Sequence, residues 1–106
     1  MDLRRLFDTR GRHIANLIDG RLYTPAGRNI GRYLEAYDIL IDMAGRYLGE
    51  IVFGNRLLRR RTSRYLDMNL GIQSDFGDRS HLGDPGNYGD TGKPEDYIDV
   101  PIESLG

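Results

Sequence analysis

Arginine has the widest chemical reach in this chain, and it comes in two arrangements. Arg56, Arg59, Arg60, Arg61 and Arg64 crowd into one short stretch, with Tyr65 beside them. Guanidinium groups at that density can grip a phosphate backbone by displacing its counterions, and the tyrosine would add one stacking face. The same residues on an exposed edge strand would instead keep sheets from pairing edge to edge, or give an acidic segment a place to dock. No nucleic-acid fold signature accompanies them, so polyanion or nucleic-acid binding stands as the alternative function. Arg12, Arg28 and Arg46 form the second arrangement, each directly after a glycine. Three equivalent guanidiniums could converge on phosphate or carboxylate. An arginine after a turn glycine more commonly pairs with a nearby acid, here Asp8, Asp42 or Glu50, and a structural role is expected.

Other chemistry is sparse. Asp75, Asp78, Asp84, Asp90, Asp96 and Asp99 match neither an EF-hand loop nor the nonapeptide calcium repeat, and read as a solvated acidic tail. His13 and His81 are the two imidazoles, and there is no cysteine. Thiolate metal sites, disulfides and cysteine nucleophiles are therefore excluded. No nucleophile elbow, phosphate loop or dinucleotide fingerprint is present. The expectation is a protein that is not an enzyme and needs no cofactor or metal.

The elements that carry these residues are read from a repeat. Leu6-Phe7-Asp8-Thr9-Arg10-Gly11-Arg12-His13-Ile14-Ala15 returns as Leu22-Tyr23-Thr24-Pro25-Ala26-Gly27-Arg28-Asn29-Ile30-Gly31. It returns again as Leu40-Ile41-Asp42-Met43-Ala44-Gly45-Arg46-Tyr47-Leu48-Gly49, and Leu57-Leu58 begins a partial fourth copy. Each copy reads as strand, turn, strand: an Asp or Thr opens the turn and a Gly free to take positive φ closes it. Asp19-Gly20 is a hairpin signal of type I′. Further turns are expected at 43–45 and Gly54-Asn55, with strands over 12–18, 28–34, 37–42, 46–53 and 56–59. A helix over 28–43 has passable apolar spacing, but its glycines and the agreement among copies argue against it. The small position, Ala15, Gly31 or Gly49, shares a face with Leu17, Tyr33 or Ile51 and implies closely approaching backbones.

Leu-Phe-Asp-x-x-Gly-Arg-x-Ile, with Gly45-Arg46-Tyr47-Leu48-Gly49-Glu50-Ile51 further on, resembles bacterial proteins of the four-fold beta-flower family. The resemblance covers about residues 3–60. It implies an all-β domain of repeated hairpins with approximate four-fold symmetry, and it implies no activity, substrate or catalytic residues.

The rest of the chain has its own beat. From Gly71 a small residue falls at every third position through Ser74, Gly77, Ser80, Gly83, Gly86, Gly89 and Gly92, with Phe76, Leu82, Pro85 and Tyr88 among the third places. A three-residue period suits an extended polyproline-II-type helix. Disorder, packing on the domain and an inter-chain bundle are the three readings of it. Residues 97–102 alternate and could add as an edge strand to this protomer or a neighbour, with Pro101 confining them to an edge.

Charge divides at the same place. Residues 1–64 carry a net +6 and residues 65–106 a net −7, giving the overall −1. No apolar run approaches the length of a membrane helix, and no secretion signal is visible at the start, so a cytoplasmic protein is expected. The reading is a small all-β domain of repeated β-hairpins with approximate internal symmetry over 1–62, followed by a Gly-rich extended tail over 63–106. A thin core in so short a β-domain would be relieved by burial against a partner. The expected function is a self-associating structural or protein-interaction module, a homo-oligomer or a binder of another protein, with no membrane partner.

Overall fold

The computed structural model describes residues 3–75, 77–79, 83, 85–92 and 94–105. Phe76, Ser80, His81, Leu82 and Asp84, which belong to the triplet pattern or the candidate acids and imidazoles, lie outside the described residues. Among the described residues the chain forms β1 (Leu3–Phe7), β2 (His13–Ile18), β3 (Arg21–Tyr23), β4 (Asn29–Leu34), β5 (Ile39–Asp42), β6 (Tyr47–Val52), β7 (Arg56–Arg60) and β8 (Tyr97–Asp99). A single 3-10 turn, Ile102–Leu105, follows. Among the described residues there is no α-helix, so 28–43 is strand and turn, and no helix is long and apolar enough to cross a membrane.

Each strand pairs antiparallel with the next, and β1 meets β7 in parallel at Phe7 and Arg56, closing β1–β7 into a barrel. The Phe7 amide also donates to the Asn55 carbonyl at 2.8 Å. The three repeats are three hairpins of one construction. Leu6 faces Ala15, Leu22 faces Gly31 and Leu40 faces Gly49, while Phe7, Tyr23 and Ile41 face His13, Asn29 and Tyr47. One residue is left over each time: Ile14, Ile30 or Leu48. This recurrent β-bulge bends every hairpin at the same place and supplies curvature for closure.

The small position follows from that bend. A Cβ at Gly31 would overlap the Ile41 carbonyl, and one at Gly49 would sit 2.6 Å from the Leu58 carbonyl oxygen. In both cases the obstacle is the strand that opens the next copy. Leu6, Leu22, Leu40 and Leu57, the leading residue of all four copies, lie in one buried cluster with Ala15, Ile30 and Leu48, and Leu17, Tyr33 and Ile51 pack against it.

The fourth copy is completed from afar. Leu58 pairs with Asp99, Arg59 with Ile98 and Arg60 with Tyr97, so β7 and β8 make the fourth hairpin across residues 61–96. Val100 is 4% exposed and Leu105 8% exposed, both in the same core cluster as the leucines. Val100 thus stands where Ile30 and Leu48 stand in their copies. The barrel unit therefore takes in residues 97–105 as well as the first sixty, and the closing segment joins this chain's own sheet.

Links between copies are tight. Asp19 and Gly20 have φ of 51° and 81°, as a type I′ turn requires. The last turn takes in Gly54 and Asn55 as expected and begins one residue earlier, at Phe53, with φ of 55° at Phe53 and 81° at Gly54. Tyr37 belongs to a turn rather than a strand, because β5 begins at Ile39.

Candidate functional site

The turn inside each repeat owes its shape to one side chain. Asp8 Oδ1 accepts the Arg10 and Arg12 amides at 3.0 and 2.9 Å, and Asp42 Oδ1 accepts those of Ala44 and Arg46 at 2.9 Å each. Thr24 Oγ1 accepts the Arg28 amide at 3.0 Å. The Asp or Thr and the arginine of the repeat are therefore coupled through the arginine backbone. Gly11, Gly27 and Gly45 carry φ of 86°, 100° and 84°, the region open to glycine at no steric cost.

These turns form a rim, and the chain after β7 lies along it. The Leu70 amide donates to the Gly45 carbonyl at 2.9 Å, the Arg79 amide to Gly27 at 2.6 Å and the Tyr88 amide to Gly11 at 2.8 Å. The donors stand nine residues apart, within Asn69-Leu70-Gly71, Asp78-Arg79-Ser80 and Asn87-Tyr88-Gly89. Three residues after the first and last of them the contact repeats: Gln73 donates to Met43 and Thr91 to Thr9. The three-residue period of the sequence thus resolves into nine-residue steps, one per hairpin. Side chains agree with the backbone. The Tyr88 ring stacks on Phe7 with centroids 4.2 Å apart, and the Arg79 guanidinium lies 5.3 Å from the Tyr23 ring centre. Tyr65 and Met68 pack against Ile39, Ile41 and Tyr47.

The five clustered arginines do not form one patch. Arg56 is 5% exposed. Its Nη1 donates to the Asp8 carbonyl and its Nη2 to the Gly89 carbonyl, both at 2.9 Å. Its guanidinium lies 6.0 and 5.9 Å from the Phe7 and Tyr88 ring centres. Arg56 Nε is buried with no hydrogen-bond partner among the described residues. This arginine pins the rim segment to the barrel. Arg59 shares a face with Leu57 and donates from Nε to the Leu48 carbonyl at 3.1 Å. Arg60 pairs with Asp96 at 3.7 Å. Arg61 and Arg64 are exposed, with Arg64 5.3 Å from the Tyr65 ring centre and Tyr65 5.4 Å from Tyr37. Of the repeat arginines, Arg12 Nε reaches Asp8 Oδ2 at 3.1 Å. Arg28 and Arg46 are exposed at the tips of separate turns.

Two polar contacts close the barrel beside β8. Asp99 accepts the Thr9 amide at 2.9 Å and its hydroxyl at 2.8 Å, joining the fourth hairpin to the first. Glu50 accepts the hydroxyls of Tyr47 at 2.8 Å and Tyr97 at 3.1 Å, and the Tyr47 oxygen accepts the Arg60 amide at 3.0 Å. Burial, reinforced by Glu50, pushes the Tyr47 phenol up to about 12, against the lowering effect of the Arg60 amide. Tyr97 is raised by burial and then by Glu50. Sequence reading missed this carboxylate clamp, because nothing local connects residue 50 with residue 97. The nine-residue pattern of Asn or Asp before the docking residues was the available signal for the rim contacts.

A cavity of about 360 Å³ beside the first turn is lined by Asp8, Thr9, Arg10, Asp90 and Asp99, among others. Asp8 and Asp99 are engaged by Arg12 and Thr9, and Asp90 accepts the Gly92 amide. Among the described residues no group of three or more His, Cys, Asp or Glu is placed to hold a metal ion. No family model, no curated protein and no solved structure matches this chain.

Proposed function

We propose that this protein is a non-enzymatic interaction module that self-associates through the outer surface of its rim segment. The observation that carries this reading is where large apolar side chains remain in water. Leu66 is 49% exposed, Leu70 51%, Ile72 92% and Tyr88 50%. All four lie on the segment that hydrogen-bonds to the turns, and Tyr37, 49% exposed, adjoins it through Tyr65. Phe53, at 62%, is the large apolar side chain exposed elsewhere; several such side chains exposed along one segment suit protein association. Hairpins repeated about an approximate four-fold axis, with one leucine from each, support kinship with the four-fold beta-flower proteins, a kinship that brings no activity with it.

Light-scattering mass across a concentration series tests the reading. The full chain is expected to exceed its monomer mass of 12.1 kDa and to return to it in Ile72→Asp and Leu66→Asp, which alter exposed side chains. Monomer mass for the unaltered chain at every concentration would overturn it.

A second reading, polyanion binding, is supported by Arg61 and Arg64 beside the Tyr65 ring. It predicts binding to an oligonucleotide that weakens steeply with salt and is lost in Arg61→Glu with Arg64→Glu.

A further inference from the structure

We infer that the segment from β8 to Leu105 is an exchangeable element, able to complete the barrel of a second copy of this chain in place of its own. The inference rests on the self-association reading only in that two copies must meet; it names what passes between them.

Three features carry it. First, the slot that β8 fills is a built receptor rather than a bare edge. It offers the β7 backbone at Leu58, Arg59 and Arg60, and Thr9 and Glu50 to receive Asp99 and Tyr97. Gly49 is there too, beside which Val100 comes so close that a Cβ would lie 3.1 Å from a Val100 methyl. A second copy presents the identical slot, so the exchanged contacts equal the native ones and exchange costs little beyond association itself.

Second, the segment is separable. The other three hairpins join their strands through short turns held by Asp8, Thr24 and Asp42, whereas the fourth joins them across residues 61–96. Withdrawing β8 leaves β1–β7 in continuous antiparallel order and opens the core only where Val100 and Leu105 sit.

Third, docking of the rim segment turns that long connection into a short hinge. Its last described hydrogen bond to the rim is from Thr91 to Thr9, and β8 begins at Tyr97. The hinge contains Gly92 at φ 68° and Pro94, and ends at Asp96 with φ 78°. Asp96 is itself held to the end of β7, its carbonyl accepting the Arg61 amide at 2.7 Å and its carboxylate the Thr62 hydroxyl, so the hinge is confined to the few residues before it, and short hinges favour opening into a neighbour. An open hinge lets every sheet contact, and the contacts of Asp96 with Arg61 and Thr62, be re-formed across the two chains.

The test uses the absence of cysteine from the chain. Arg59 and Ile98 are register partners, and cross-strand partners lie within disulfide reach. Full-length Arg59→Cys and Ile98→Cys chains are unfolded together, refolded at high concentration and oxidised. Exchange predicts a disulfide between the two different chains, in a species of twice the 12.1 kDa chain mass. The doubly substituted chain at low concentration should close its disulfide internally. Oligomers of the doubly substituted chain that carry only internal disulfides, with no disulfide linking the two singly substituted chains, would overturn exchange while leaving the apolar rim surface as the means of association. Monomers throughout would overturn both. If either substitution prevents folding, the unaltered chain decides: exchange predicts a dimer formed by refolding at high concentration that persists after dilution, and a mass that falls at once on dilution overturns it.

Discussion

At the scale of single residues the repeat is a set of backbone requirements, and its arginines are incidental to them. Asp42 holds two amides that would otherwise be orphaned in the turn. Asp42→Ala is expected to cost about 1 kcal/mol, while Arg46→Ala, removing an exposed side chain, should leave the melting temperature nearly unchanged. Glycine discriminates more sharply. Gly11→Ala must accept φ near 86° and drive its methyl into the Tyr88 carbonyl, whereas at Gly20 the space is open. Gly11→Ala should therefore destabilise by about 1–3 kcal/mol and loosen the rim segment. Gly20→Ala should show the smaller, purely conformational loss; denaturant midpoints of the two variants check the ordering. Tyr47 gives a pH signature. Its phenol is held protonated in the fold, so its contribution is complete below the ordinary tyrosine value near 10 and disappears as pH rises towards about 12. Stability of the unaltered chain should fall across that window. Tyr47→Phe, weaker at neutral pH by about 1–2 kcal/mol, should flatten the decline.

Among elements, the bulge and the leading leucine do the same task in each copy. Each of the first three hairpins skips one residue and turns its Leu inward, and Gly31 and Gly49 lie under the next strand. Leu57 belongs to this layer although its partner strand is distant in sequence. Leu57→Ala is expected to cost about 2–5 kcal/mol, as Leu22→Ala does, since both side chains are fully buried in one cluster. A clearly smaller loss at Leu57, read from urea midpoints, would show the fourth hairpin to be weakly coupled to the others. Turn positions were legible because Asp, Thr and Gly act locally. The turn at Gly54-Asn55 was legible too; its extension back to Phe53 was not, because an aromatic residue at positive φ contradicts local preference.

For the molecule as a whole, the fourth hairpin draws on both parts of the chain. β8 pairs with the last strand of the barrel, Val100 and Leu105 join its core, and Asp99 ties the last hairpin to the first. A chain ending at Thr62 is expected to lose its cooperative thermal transition, monitored by circular dichroism. An unchanged transition would show that β1–β7 suffice. Charge follows the same plan: the basic half and the acidic half lie against each other. Arg60 with Asp96 is an exposed pair, and such pairs contribute little. Backbone hydrogen bonds to glycine carbonyls and stacking on Phe7 and Tyr23 carry the attachment.

Sequence alone determined the class and the beat: strands, turns, the small position, the tripled motif and the hint of a fourth copy at Leu57-Leu58. Each depends on residues a few positions apart, where alternation and positive φ act without help. Tertiary structure decided the rest. It buried Arg56 and dispersed the five-arginine cluster, because side chains adjacent in a strand point to opposite faces and meet different neighbours. It matched the Gly-rich segment to the turns in steps of nine, because three hairpins about one axis present their glycine carbonyls at regular intervals to a chain passing over them. It also drew the partner strand of the fourth hairpin from residues 97–99, a pairing between distant segments that no local pattern encodes.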